Sequence, residues 1–168
     1  VLMKNLFARK RSDFFRRDDD TIRWPEKMLK RANKELLDLG VDKFATMVVG
    51  VIDILNNSLS YSIAGHLPLP VLITPGKDAR FLSGEGPPVG LTCEAEFTEQ
   101  QIQLPDIFML SIFSDGILEI LPTSDLISKE SCFLEKFARS VVPSDDLIKS
   151  LGLLDTRPAP DDIAGLFI

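Results

Sequence analysis

Phe44-Ala45-Thr46-Met47-Val48-Val49-Gly50-Val51-Ile52-Asp53-Ile54-Leu55 decides the fold class of this chain. The run is rich in β-branched residues and almost continuously apolar, the pattern of a strand covered on both faces. Asn56-Asn57-Ser58 is a turn signal, and Leu59, Tyr61 and Ile63 then alternate through residues 59–64, so a hairpin is expected. The same rhythm continues toward the C-terminus. Residues 71–74 and 79–82 flank Pro75-Gly76-Lys77-Asp78 as a second hairpin. The segment 84–90 carries Gly84, Gly86, Gly90, Pro87 and Pro88, so it reads as a loop of constrained backbone. Residues 94–104 and 107–113 read as further strands, separated by Pro105-Asp106.

Helices bracket this β-rich middle. Residues 1–11 read as a helix with Leu2, Met3, Leu6 and Phe7 on one face, and residues 12–24 as a charged loop. Pro25 suits a first helical position, Met28, Leu29, Ala32, Leu36 and Leu37 make an apolar stripe, and Gly40 is a stop signal. Beyond the strands, Ser124 can cap a helix in which Leu126, Ile127, Phe133, Leu134, Phe137 and Ala138 supply apolar contacts. Residues 145–151 form a shorter helix, and residues 163–168 an apolar strand. Helices segregated from a run of strands indicate an α+β fold rather than a doubly wound parallel sheet. Strands covered on both faces suggest two stacked sheets with helices outside.

The composition narrows the function classes. A chain of 168 residues is long enough for one domain with a real core. Its 45% apolar and 26% charged residues are ordinary for a soluble globular protein. No apolar run approaches the roughly 20 residues of a spanning helix. Val1-Leu2-Met3 is followed at once by Lys4, and Arg9-Lys10-Arg11 closes the segment, which is no signal-peptide pattern. A cytoplasmic location without membrane contact is therefore expected, with Cys93 and Cys132 as free thiols. The net charge of −6 argues against nucleic acid as the main partner. The local exception is Lys4, Arg9, Lys10, Arg11, Arg16 and Arg17. It runs directly into Asp18, Asp19 and Asp20 and reads as a solvated mixed-charge segment.

Two acidic sites stand at strand boundaries. Phe108-Met109-Leu110-Ser111-Ile112-Phe113 would bury a strand that Ser114-Asp115-Gly116 ends. Gly116 lets the backbone turn and leaves room beside the carboxylate. Asp161 and Asp162 stand just before the last strand, and adjacent carboxylates call for a cation, a helix N-terminus or open water. Hard cations such as Mg²⁺ and Mn²⁺ take such oxygen ligands. Asp-Gly is also a common turn pair, and loop acids are commonly just solvated. His66 is the only histidine, so no histidine-based zinc site can form. Gly84-Glu85-Gly86 lacks the Lys-Ser/Thr of a phosphate loop, and no Ser-His-Asp constellation is readable. The residues by themselves reach a soluble α+β domain with a carboxylate metal site as its candidate chemistry.

Six segments in order carry a resemblance. They are Trp24-Pro25-Glu26-Lys27-Met28-Leu29 with Asn33 and Leu36-Leu37; Phe44-Ala45-Thr46-Met47; Tyr61-Ser62-Ile63-Ala64-Gly65-His66-Leu67-Pro68; Gly86-Pro87-Pro88-Val89-Gly90; Ser114-Asp115-Gly116-Ile117-Leu118-Glu119; and Asp161-Asp162-Ile163-Ala164. Together they resemble the SpoIIE/RsbU branch of the PPM (PP2C-like) metal-dependent protein phosphatases. The match runs through nearly the whole chain, 1–168, as a single domain. The departures are Ala164 for the family's Thr and Val89 for its Leu; neither removes a ligand.

The resemblance implies a PP2C-like β-sandwich with flanking helices in α-β-β-α layers. It implies hydrolysis of phosphoserine or phosphothreonine on a protein, with two Mn²⁺ or Mg²⁺ ions activating a bridging water. Carried over by position, Asp115 and Asp161 are metal ligands, and Asp162 belongs to the same cluster or its surroundings. Gly116 keeps the approach open, and His66 and the 86–90 loop are structural or near-site elements. The family's earlier Gly-Asp and Asp-x-Ser/x-Gly-His motifs should precede the helix that starts at Val1. The expectation is thus an N-terminally incomplete domain whose two-metal site is not completed. The wording around residues 64–70 is similar to the output domain of RssB-type response regulators. That similarity opens an alternative, a catalytically inactive adaptor that binds a sigma factor or its antagonist. The implied partners are a phosphorylated regulatory protein, a sigma factor or an anti-sigma antagonist, and helix-mediated homodimers are compatible with such output domains.

Overall fold

The computed structural model describes residues 23–40, 42–74, 78–122, 125–138, 145–153 and 161–168. The expected helix over 1–11, most of the 12–24 loop, Ser124 and the tip 75–77 lie outside the described residues. The described elements are α1 (Trp24–Asp38), β1 (Met47–Asp53), β2 (Ser58–Ala64), β3 (Val71–Thr74), β4 (Asp78–Phe81), β5 (Gln100–Gln103) and β6 (Met109–Phe113). They continue with α2 (Gly116–Glu119), α3 (Leu126–Ala138), α4 (Asp145–Ser150) and β7 (Gly165–Phe167). The α+β class holds, with antiparallel strands in the middle and helices toward the ends of the chain. The chain divides into two compact units, Val1–Gly65 with Gly84–Gln103, and His66–Ser83 with Leu104–Ile168.

In the first unit, α1 covers a three-stranded antiparallel sheet of order β1-β2-β5. The helix forms because Met28, Leu29 and Ala32 recur on one face, and all three are buried. It starts at Trp24, one residue ahead of Pro25. It stops where Gly40 takes a left-handed φ of 62° and its N–H donates to the Leu37 carbonyl at 2.9 Å. Asn33 staples the helix to a loop: its Nδ2 donates to the Thr92 carbonyl (3.0 Å) and its Oδ1 accepts from the Gly90 N–H (2.6 Å). Two of the recognised segments meet in this unit, because Ala45 and Val89 form an antiparallel bridge.

The first hairpin pairs Met47 with Ala64 and Asp53 with Ser58. Its turn is closed by Asp53, whose Oδ1 accepts the N–H groups of Leu55 (3.0 Å) and Asn56 (3.1 Å). The expectation of a doubly covered strand is corrected here. In β1 only Val49 is buried, whereas β2 buries Leu59 and the whole run 61–64. β2 lies between two neighbours and β1 at an edge, and apolar composition does not tell the two positions apart. The expected strand over 94–104 shortens to Gln100–Gln103.

In the second unit a four-stranded sheet has the order β4-β3-β6-β7, and every pair is antiparallel. Its core holds Val71, Ile73, Met109, Phe113, Ile117, Phe133, Phe137, Leu147 and Leu151. Phe133 sits among aromatic neighbours, edge-on to Phe113 at 5.6 Å and to Phe137 at 4.9 Å between ring centroids. The N-terminal cap of α3 comes from Asp125, whose Oδ1 accepts the Ser128 N–H at 2.9 Å. Leu126 and Ile127, expected to pack, are exposed, because the buried face of this helix is set by Phe133 and Phe137. The one-turn helix α2 starts at Gly116, the last residue of the Ser-Asp-Gly segment, where the sequence reading placed no helix of its own.

No helix among the described residues is long and apolar enough to cross a membrane. Cys93 and Cys132 are free thiols, as expected.

Candidate functional site

Asp115, Gly116, Asp161, Asp162 and His66 all fall in the second unit, whereas the 86–90 loop belongs to the first. β6 and β7 pair Ser111 with Phe167, Ile112 with Leu166, and Phe113 with Gly165. Extending this register by one rung sets Ser114 opposite Ala164, and the Ser114 N–H donates to the Ala164 carbonyl at 2.9 Å. Asp115 follows the end of one strand, and Asp161 and Asp162 precede the start of its neighbour. The antiparallel ladder thus brings together two acidic segments that are far apart in sequence.

The local geometry is tight. The Ser114 Oγ donates to the Asp162 carbonyl at 3.2 Å and accepts from the Ala164 N–H at 2.8 Å. A Cβ on Gly116 would collide with the Asp162 carbonyl oxygen and come within 3.3 Å of the Ile163 side chain. Only glycine lets the two segments approach this closely. Asp115 stands at the N-cap of α2, and its side chain makes no capping hydrogen bond. The Asp161 Oδ1 accepts the Asp162 N–H at 2.7 Å. Asp115, Asp161 and Asp162 are all exposed.

His66 approaches the same strand end. Burial holds its imidazole below the ordinary histidine range, against the opposing effects of a hydrogen bond to the Phe113 backbone and the charge of Asp115. Its Nε2 is buried and has no hydrogen-bond partner among the described residues. The ring is therefore favoured in its neutral form, beside the residues that deliver Asp115.

The exposed carboxylate oxygens are the donor type a hard divalent cation takes, so Asp115 and Asp161 fit Mn²⁺ or Mg²⁺ in kind. Their number supplies part of a ligand shell. Among the described residues, no group of three or more His, Cys, Asp or Glu side chains converges as a metal-binding cluster. A separate cavity of about 400 Å³ in the first unit is lined by Lys30, Asn33, Lys34, Leu37, Asp38 and Cys93, and contains none of these carboxylates. Sequence reasoning did not single out Ser114. Its signal is a hydroxyl one residue beyond the last paired position of β6, legible only once β6 and β7 are known to be partners.

The sequence model of the family described as Stage II sporulation protein E (SpoIIE) matches residues 3–168. The chain belongs to the SpoIIE family. Protein IcfG of Synechocystis sp. is 33% identical to this SpoIIE-family chain over 125 residues, 71% of the chain and 20% of that protein. The chain thus spans a fifth of the length of that curated relative. Among solved structures, the RsbU and RsbW domains of Rv1364c from Mycobacterium tuberculosis share a TM-score of 0.74 at 24% identity. That likeness covers 99% of this chain and 45% of the other. The phosphatase domain of the cell fate determinant SpoIIE from Bacillus subtilis, presoaked with Mn, gives a TM-score of 0.63 at 17% identity, covering 99% and 69%. At these identities the structural likeness establishes the fold, which is PP2C-like.

Proposed function

We propose that this SpoIIE-family chain is a metal-dependent protein serine/threonine phosphatase domain, the output part of a bacterial signalling response regulator. Its substrate class is phosphoserine or phosphothreonine on a regulatory protein of a sigma-factor circuit. The observation that carries the reading is the joining of the Asp115 and Asp161–Asp162 segments through Ser114 at paired strand ends. Asp115 and Asp161 would hold the ion, with Asp162 beside them. A bound Mn²⁺ or Mg²⁺ supplies an activated water and neutralises phosphoryl charge. The chain's own residues do the positioning. Gly116 keeps the two acidic segments in close approach, and His66 supports the backbone that leads into Asp115.

Phosphate release from a generic phosphorylated peptide, with Mn²⁺ titrated, tests the reading on the chain in its natural full-length context. Saturable Mn²⁺-dependent release is expected. Asp115→Asn should abolish it with the thermal midpoint unchanged, because the Asp115 carboxylate is exposed and makes no capping bond. Turnover that survives the substitution excludes Asp115 as a required ligand. A folded protein that releases no phosphate would favour the alternative, an adaptor that binds a sigma factor or its antagonist, and make partner capture the next experiment.

A further inference from the structure

We propose that Ser114 is a positioning residue that fixes segment 162–164 in register against Asp115, and so sets the mutual placement of Asp115 and Asp161. Its bearing on metal binding rests on the phosphatase reading above; its bearing on local structure does not.

The need for such a residue follows from where the backbone bonds go. At the end of β6 the Ser114 N–H still serves the sheet, donating to the Ala164 carbonyl. The Ser114 carbonyl does not return the favour. It accepts the Ile117 N–H at 3.2 Å and opens the turn of α2. The Ala164 N–H, which in a continuing ladder would find a backbone carbonyl, finds the Ser114 Oγ instead. The side chain thus replaces a backbone acceptor diverted into the helix. One strand end serves its sheet partner and starts a helix together, with Asp115 at the junction.

The same hydroxyl spends its proton on the Asp162 carbonyl. A hydroxyl has one donor and two acceptor positions, so both bonds are compatible. That carbonyl lies against Gly116, where no Cβ fits. Segment 162–164 is thus held by the Ser114 hydroxyl and pressed against the Gly116 backbone. Alanine at 114 deletes both side-chain bonds. Asp162 and Ala164 are exposed, so water takes up the vacated groups and the fold persists while the register loosens. Threonine keeps the oxygen.

Amide hydrogen exchange at Ala164 and calorimetric titration with Mn²⁺, on the full-length chain and its Ser114→Ala and Ser114→Thr variants, decide the proposal. In Ser114→Ala the Ala164 amide is expected to exchange faster, and Mn²⁺ affinity to fall about tenfold or more, as when the partners that orient metal ligands are removed. The thermal midpoint stays near that of the parent, and Ser114→Thr restores both readings. Unchanged exchange at Ala164 in Ser114→Ala overturns the proposal. So does faster exchange combined with undiminished Mn²⁺ affinity. If the parent chain takes up no Mn²⁺, the phosphatase reading falls. Exchange at Ala164 then decides alone: acceleration reversed by threonine upholds Ser114 as the residue that sets this register, and no acceleration rejects it.

Discussion

Gly116 carries a constraint that its Asp-Gly setting hides. In the sequence it belongs to a common turn pair; in the structure its α-carbon faces the Asp162 carbonyl at a distance no Cβ tolerates. The obstacle is backbone, which cannot swing aside as a flexible side chain would. Gly116→Ala is therefore expected to destabilise the chain by about 1–3 kcal/mol, the usual cost of overpacking. Urea denaturation measures this, and an unchanged midpoint would show that segment 162–164 yields freely. His66 makes the complementary point. Burial favours its neutral ring, against the hydrogen bond to the Phe113 backbone and the charge of Asp115.

At the scale of elements, the N-terminus of α1 gathers two carboxyls of opposite character. Glu26 is only 6% exposed, and its carboxyl is held below the usual range, first by the hydrogen bond from Lys30 at 2.6 Å and then, against burial, by the nearby cations. Glu99 is pushed up, first by burial and then by the charge of Glu26, although the backbone N–H groups of Arg23 and Glu26 favour its ionised form. A carboxyl raised in the folded state binds protons more tightly there than in the unfolded chain. Its contribution to stability is therefore complete below the ordinary value of 4.5 and is lost as pH climbs through its raised value. Glu99→Gln should match the parent at pH ~4 and be more stable at pH ~7, a difference readable from urea midpoints across that range. A parallel fall of stability with pH in both proteins would rule this out. In α3 the two faces differ sharply. Phe133 is 0% exposed and Ile127 78%. Phe133→Ala should cost about 3–5 kcal/mol. Ile127→Ala should stay within about 0.5 kcal/mol of the parent. Comparable losses at both positions would mean that the helix buries a different face.

At the scale of the whole molecule, the net charge of −6 is expected to disfavour binding to the phosphate backbone of nucleic acid. Fluorescence anisotropy with duplex DNA at about 0.15 M salt should show no saturable binding, since exposed charges are screened beyond about 8 Å and no counterion release favours the complex. Saturable binding there would overturn the exclusion of nucleic acid. The α+β class was legible in the sequence, because alternation and turn residues act within a few positions of one another. So were the two hairpins, the stop of α1 at Gly40 and the family, whose segments keep their order along the chain. Which strand is buried was not legible. Val48, Val51 and Ile52 in β1 carry the composition of a covered strand, but the order β1-β2-β5 hands the covered place to β2. The cap of α3 fell to Asp125 because capping depends on which side chain reaches the Ser128 N–H. The candidate site divides the same way. The sequence by itself determined which residues are candidates, the carboxylates Asp115, Asp161 and Asp162 and the glycine beside them, since residue chemistry travels with the chain. Only the tertiary structure decided that β6 and β7 are neighbours in a register that sets Ser114 against Ala164, because strand pairing is a long-range choice that no local pattern contains.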